Sequence, residues 1–162
     1  MTCQLLLVVG LLSPGISARE GNEHQASVME ENEEAAVKAA VENFLVALGN
    51  DETEKVKAMM LPNANIASIS IKDGVSKIYT TTAEAYLAQR EEKVNRKFQE
   101  PVREYTVSIS QGILAFVRAD ATVIYDGKPS HYTNDFFVLM KDNDGWKFLS
   151  GSYTTLPLEE EK

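Results

Sequence analysis

At 162 residues the chain is long enough for one hydrophobic core and short for two, and 44% hydrophobic with 25% charged residues is the composition of a foldable globular domain. A formal charge of -8 repels phosphate backbones and anionic lipid. With no basic stripe carrying interleaved aromatics to offset that charge, a nucleic-acid partner is excluded.

Residues 1–18 are set apart by an apolar run, Leu5 to Leu12, followed by the breaker Ser13-Pro14-Gly15 and by Ile16-Ser17-Ala18 ahead of the polar Arg19-Glu20. That layout predicts a signal peptide cleaved after Ala18, hence a secreted or periplasmic protein; an uncleaved anchor is the alternative. The single cysteine, Cys3, lies inside this segment and ahead of the apolar run. The domain that follows therefore has no thiol for a disulfide or a thiolate metal site, and lipid anchoring through Cys3 is set aside.

Residues 19–27 are polar, and 19–29 are predicted to be a flexible lead-in to a domain over 30–156, with an acidic tail at 157–162. From Ser27 the pattern turns helical. Ser27 and Glu30 form a capping box, and Ala36, Val37, Ala40, Val41, Phe44, Leu45 and Leu48 recur at helical spacing up to Gly49. A short second helix is predicted to start at Asp51, with Glu54 three residues on, and to end before Pro62. Ile66 to Ile71 reads as a strand closed by Asp73-Gly74, and Thr81 with Glu84 starts a third helix that runs to about Phe98. Four strands, 102–110, 113–126, 129–141 and 145–154, then form an antiparallel meander, since each separator is a turn with glycine in it. No glycine-rich phosphate loop or nucleophile elbow occurs, so no cofactor is predicted.

The order helix-helix-strand-helix and then a meander, with Gly127-Lys128-Pro129-Ser130-His131, Asp135-Phe136-Phe137-Val138-Leu139 and Asp144-Gly145-Trp146-Lys147-Phe148 along it, resembles the nuclear transport factor 2-like superfamily, in its polyketide-cyclase-like and lumazine-binding-like branches. The resemblance covers about residues 30–155. It implies an α+β fold, a cone-shaped curved antiparallel sheet wrapped by three N-terminal helices in a cystatin-like roll, with a cavity inside and homodimers packed through the sheet.

A tight hairpin centred on Gly127-Lys128 would set His131 opposite Ile124, Thr133 opposite Thr122 and Asp135 opposite Asp120. Alternation then places these residues with Arg118 and Phe137 on one polar face, and Val117, Ala119, Ala121, Val123, Phe136 and Val138 on an apolar one. The polar face is expected to line the cavity and the apolar face to form the dimer contact. Two carboxylates facing each other need a cation, and Arg118 is placed to supply it, so Arg118, Asp120 and Asp135 form the leading constellation; a solvated ion-pair network or a bulge that breaks the register is the alternative. His131, four residues from Asp135 and roughly 13 Å away along an extended strand, is a candidate acid or base with some other partner. On the last strand Trp146, Phe148, Ser150, Ser152 and Thr154 are expected to share a face, adding Ser150 and Ser152 as ligand contacts. With His24 in the lead-in, two histidines and no cysteine in the domain predict no metal site.

Within the superfamily, matching to ketosteroid isomerase puts the pocket aspartic acid at Asp135, but Ser68 where that enzyme has its general base and Phe44 where it has its oxyanion-hole tyrosine. Proton abstraction beside a carbonyl needs both missing groups. The leading reading is an exported module that binds a small, partly apolar molecule, with Ser68 and Phe44 also lining the pocket. An acid-base enzyme of dehydratase, isomerase or cyclase type, using His131, Asp135 or Asp120, is the alternative. A dimerisation module with a vestigial cavity is a further one.

Overall fold

A computed structural model describes residues 17–72, 74–92 and 97–158 of the chain. Most of the segment 1–18 read as a signal peptide, and the end of the acidic tail, lie outside the described residues. Among those described, no helix is long and apolar enough to cross a membrane.

Helix α1, Ser17–Gly49, begins before the capping box at Ser27. The lead-in expected to be flexible is helical backbone from Ser17 on. Its sequence is free of proline, and adding residues to an existing helix is easier than nucleating one. The helix buries Val37, Val41, Phe44 and Leu45, the stripe its apolar spacing predicts. Helix α2, Thr53–Met59, buries Val56. It starts two residues after Asp51, whose side chain does not cap it but pairs with Arg90.

Strand β1, Met60–Lys72, is longer than the run Ile66 to Ile71 suggests, and it turns back into β2, Val75–Thr82. Sequence reasoning misses β2 because its residues are mostly exposed and lack the alternation of a strand with one buried face. Helix α3 runs over Ala83–Glu92, shorter than expected, and Thr82, not Thr81, caps it by accepting from the Ala85 amide at 3.2 Å. The meander follows as β3 (Val102–Ser110), β4 (Leu114–Tyr125), β5 (Lys128–Asp142) and β6 (Gly145–Leu156), close to the predicted strands. The six strands form one curved, open sheet in the order β2-β1-β6-β5-β4-β3, with β1 parallel to β6 and the other neighbours antiparallel.

The helices cover one face of this sheet, and the core lies between them. Phe44 of α1 stacks on Phe148 with centroids 4.3 Å apart, and Phe137 meets both rings edge-on at 5.9 and 5.3 Å. Gly151 makes room for this arrangement: a Cβ there would sit 3.4 Å from the Phe137 ring.

The hairpin between β4 and β5 decides which residues face that core. The turn is centred on Asp126-Gly127, both at positive φ (52° and 75°), one residue earlier than expected. Tyr125 pairs with Lys128 and Ile124 with Pro129, but Val123 then pairs with His131, leaving Ser130 as a bulge. One extra residue flips every later side chain of β5 relative to β4. Asp135 consequently lies opposite Ala119, and Asp120 opposite Asn134. The two expected faces are therefore wrong. Val117, Ala119, Ala121 and Val123 share the helix-covered face with Thr133, Asp135 and Phe137, all buried. Phe116, Arg118 and Phe136 lie on the outer face, where Phe116 and Phe136 are exposed.

Candidate functional site

Between the concave face of the sheet and the helices is a cavity of about 290 Å³. Phe44, Ile66, Val123 and Phe137 give it an apolar floor, and Tyr86, Phe98, Tyr125 and Tyr153 add aromatic walls. Phe98 comes from the residues just ahead of β3, which continue that strand's pairing along β4. Gln99 pairs with Ile124 through two backbone hydrogen bonds of 3.0 and 2.8 Å, and the Phe98 amide donates to the Gly49 carbonyl at 3.1 Å. Gly49 permits that approach, since a Cβ there would stand 2.3 Å from the Phe98 oxygen. The same residues bring Glu100 to the cavity wall.

Glu100, Thr133 and Asp135 form the polar end. The Thr133 hydroxyl lies 2.9 Å from Glu100 Oε1 and 3.2 Å from Asp135 Oδ2. A hydroxyl has one proton to donate, so two ionised carboxylates cannot both be satisfied by it. With a proton on one carboxyl the contacts become consistent: the acid donates to Thr133 Oγ1, and Thr133 donates to the other carboxylate. Asp135 is only 4% exposed. Burial first, and then the negative charge at Glu100, push its carboxyl up to about 8, against the Thr133 hydrogen bond that acts the other way. Burial also raises Glu100. At neutral pH the pair holds one proton that ordinary carboxylates would have lost.

Two basic groups line the cavity. Arg90 donates to the Leu48 carbonyl at 3.0 Å and pairs with Asp51, while its guanidinium lies 5.8 Å from the Phe98 ring centroid. His131 has Nδ1 3.1 Å from Ser130 Oγ, and partial burial lowers its pKa, favouring the neutral ring.

The residues singled out from the sequence divide between the two faces. Phe44, His131 and Asp135 line the cavity. Ser68, two residues along β1 from Ile66, is not among the lining residues. Arg118 and Asp120 form a two-pronged ion pair on the outer face, with Nε and Nη2 at 2.8 and 2.9 Å from the carboxylate oxygens, and the Asn134 amide donates to the same carboxylate at 2.7 Å. The Arg118 hydrogen bonds hold Asp120 below its ordinary pKa. Arg118 is thus the counter-ion of Asp120, as expected, but Asp135 is not part of that network. A second bulge, between Val138 and Leu139 in the β5–β6 ladder, breaks the face expected for the last strand. Phe148 faces the core, whereas Ser150 and Ser152 pair with Val138 and Phe136 and line an outer groove with Phe116 and Arg118; Ser152 also touches the cavity. Among the described residues, no group of three or more His, Cys, Asp or Glu is placed to hold a metal ion.

The model of the family described as "Putative lumazine-binding" matches residues 32–154. The chain belongs to this family. Solved structures of the nuclear transport factor 2-like type share its fold. One, from Novosphingobium aromaticivorans, is described as having a cystatin-like fold and is 11% identical with a TM-score of 0.64, over 88% of this chain and 92% of that one. A protein of the same organism described as a "Putative Scytalone Dehydratase" is 16% identical with a TM-score of 0.62, over 84% and 99%. The beta subunit of a putative aromatic-ring-hydroxylating dioxygenase, again from that organism, is 12% identical with a TM-score of 0.65, over 82% and 95%. At such identities the likeness is one of fold. No curated protein matches the chain.

Sequence reasoning did not single out Glu100, Thr133 or Arg90 as ligand contacts. Glu100-Pro101 reads as the end of a helix, and nothing local says that Glu100 lies beside Thr133. The available sign was Pro129: a proline just inside a strand lacks a ladder donor and often marks a bulge, and the bulge is what turns Asp135 inward.

Proposed function

We propose that this chain is an exported domain that binds a small, partly apolar, ring-bearing molecule in the cavity. The observation that carries the reading is the pairing of a phenylalanine floor with a single polar end where a buried carboxyl retains its proton. Ligand pockets of this kind are mostly apolar with a few placed polar groups, and a cavity near the lower end of their size range takes one or two rings. The family's description, which names a bicyclic heteroaromatic compound, supports the same ligand shape. Lumazine and other one- and two-ring heteroaromatics are expected to raise the melting temperature of the protein. Val123→Phe, which extends a ring into the cavity, should abolish that shift while leaving the protein folded. If no such compound raises the melting temperature, or the filled variant responds as the wild type does, the reading fails.

Acid-base catalysis is the second reading, favoured by one observation: a carboxyl that titrates near 8 inside a cavity is suited to donate a proton to a leaving hydroxyl at neutral pH. His131, which lines the same cavity four residues along the strand and whose pKa burial lowers, is a base that would act on the ligand and not on Asp135. Turnover lost in both Asp135→Asn and His131→Ala supports this reading; ligand binding without turnover supports the first alone.

A further inference from the structure

The polar end of the cavity holds more acid than base. Glu100 and Asp135 share one proton through Thr133, Arg90 is engaged by Asp51, and His131 is held toward neutrality. Asp135, 4% exposed, is engaged by Thr133 through Oδ2 and lines the cavity. Tyr86 from α3 and Tyr105 from β3 keep their protons, burial pushing the Tyr105 hydroxyl up to about 12, so neither changes this balance. The surrounding walls include Tyr86, Phe98, Tyr125 and Tyr153, and an aromatic ring attracts a cation placed over its face.

Resting on the ligand-binding reading above, we infer that the ligand carries a protonated basic nitrogen, as in a ring-bearing primary amine, which replaces the proton shared by Asp135 and Glu100. The donors and acceptors match. An ammonium group has three N–H bonds, and the site offers two carboxylates and the Thr133 oxygen. No covalent bond forms between ligand and protein, and the only bond broken is the carboxyl O–H, whose proton goes to solvent. The amine enters with its own proton, the carboxyl pair gives one proton to solvent, and the site exchanges a covalently held proton for a charge-assisted hydrogen-bonded cation. A metal ion fits less well, because two carboxylates fall short of the oxygen set that calcium needs and the aromatic walls add no ligand. The net charge of -8 draws cations toward the protein.

The test compares three probes of one shape at pH 7 by titration calorimetry: 1-naphthylmethylamine, 1-naphthalenemethanol and 1-naphthoate. The amine is expected to bind at least about tenfold more tightly than the alcohol, and the naphthoate least of all. In buffers of different ionisation enthalpy, amine binding should release about one proton and alcohol binding none. Asp135→Asn and Glu100→Gln should each bring the amine-to-alcohol ratio close to one, and a cooperative urea transition shows that the variants fold. An equal affinity for amine and alcohol in the wild type, a preference for naphthoate, or amine binding without proton release overturns the inference and leaves the binding reading standing. If none of the three binds, both fall together.

Discussion

Replacing Asp135 by asparagine should make the protein more stable at alkaline pH, contrary to the usual cost of altering a buried polar residue. The Asp135 carboxyl moves from an ordinary value of 3.8 to about 8 on folding. Below about pH 4 both folded and unfolded chains carry the proton and the group is neutral in its effect. As the pH rises, the unfolded chain gives up its proton first while the folded one retains it, so stability falls until the folded carboxyl ionises near 8. At about 1.4 kcal/mol per unit, a displacement of about four units amounts to a loss on the order of 5 kcal/mol across that window. Glu100, also raised by burial, adds a slope of the same sign. His131 acts oppositely, but only below about 6.5, where its ordinary titration ends. Asparagine has nearly the shape of the protonated acid, can still hydrogen-bond Thr133 and cannot ionise. Urea unfolding followed by Trp146 fluorescence in half-unit steps from pH 4.5 to 8.5 should therefore show a falling wild-type curve above pH 6.5 and a flatter variant curve. The variant should exceed the wild type by several kcal/mol at pH 8. Wild-type stability that is level or rising between pH 6.5 and 8, or a variant less stable than the wild type at pH 8, would refute the protonated pair.

Two further outcomes follow from the packing. Gly49→Ala puts a methyl group 2.3 Å from the Phe98 oxygen and must displace the residues that carry Glu100, so it should cost about 1–3 kcal/mol in urea unfolding and speed hydrogen exchange at the Phe98 amide. Arg118→Ala removes an outer-face ion pair and should leave both the unfolding midpoint and ligand affinity unchanged within error; a loss of affinity would return Arg118 to the binding site.

The sequence by itself determined the elements that local physics specifies. The meander was legible because each of its turns carries a glycine, and those at Gly112, Gly127 and Gly145 adopt positive φ. The buried stripe of α1 was legible because Val37, Val41, Phe44 and Leu45 repeat at helical spacing. Strand β2 was not, since it lies at the edge of the sheet beside β1 and most of its residues face water. Phe44, His131 and Asp135 were named in advance and do meet in the cavity, but Asp135 reaches it by a route that alternation alone does not reveal. Strand faces repeat every two residues, so one unpaired residue at Ser130 reverses the assignment of the whole strand. That bulge, and the path of the chain that brings Glu100 to a threonine 33 residues away, arise only in the tertiary fold. The physical reason is the same for both: whether Asp135 sits in water beside Arg118 or in the cavity sharing a proton with Glu100 depends on contacts between strands and segments far apart in the chain, and composition and spacing carry no record of them.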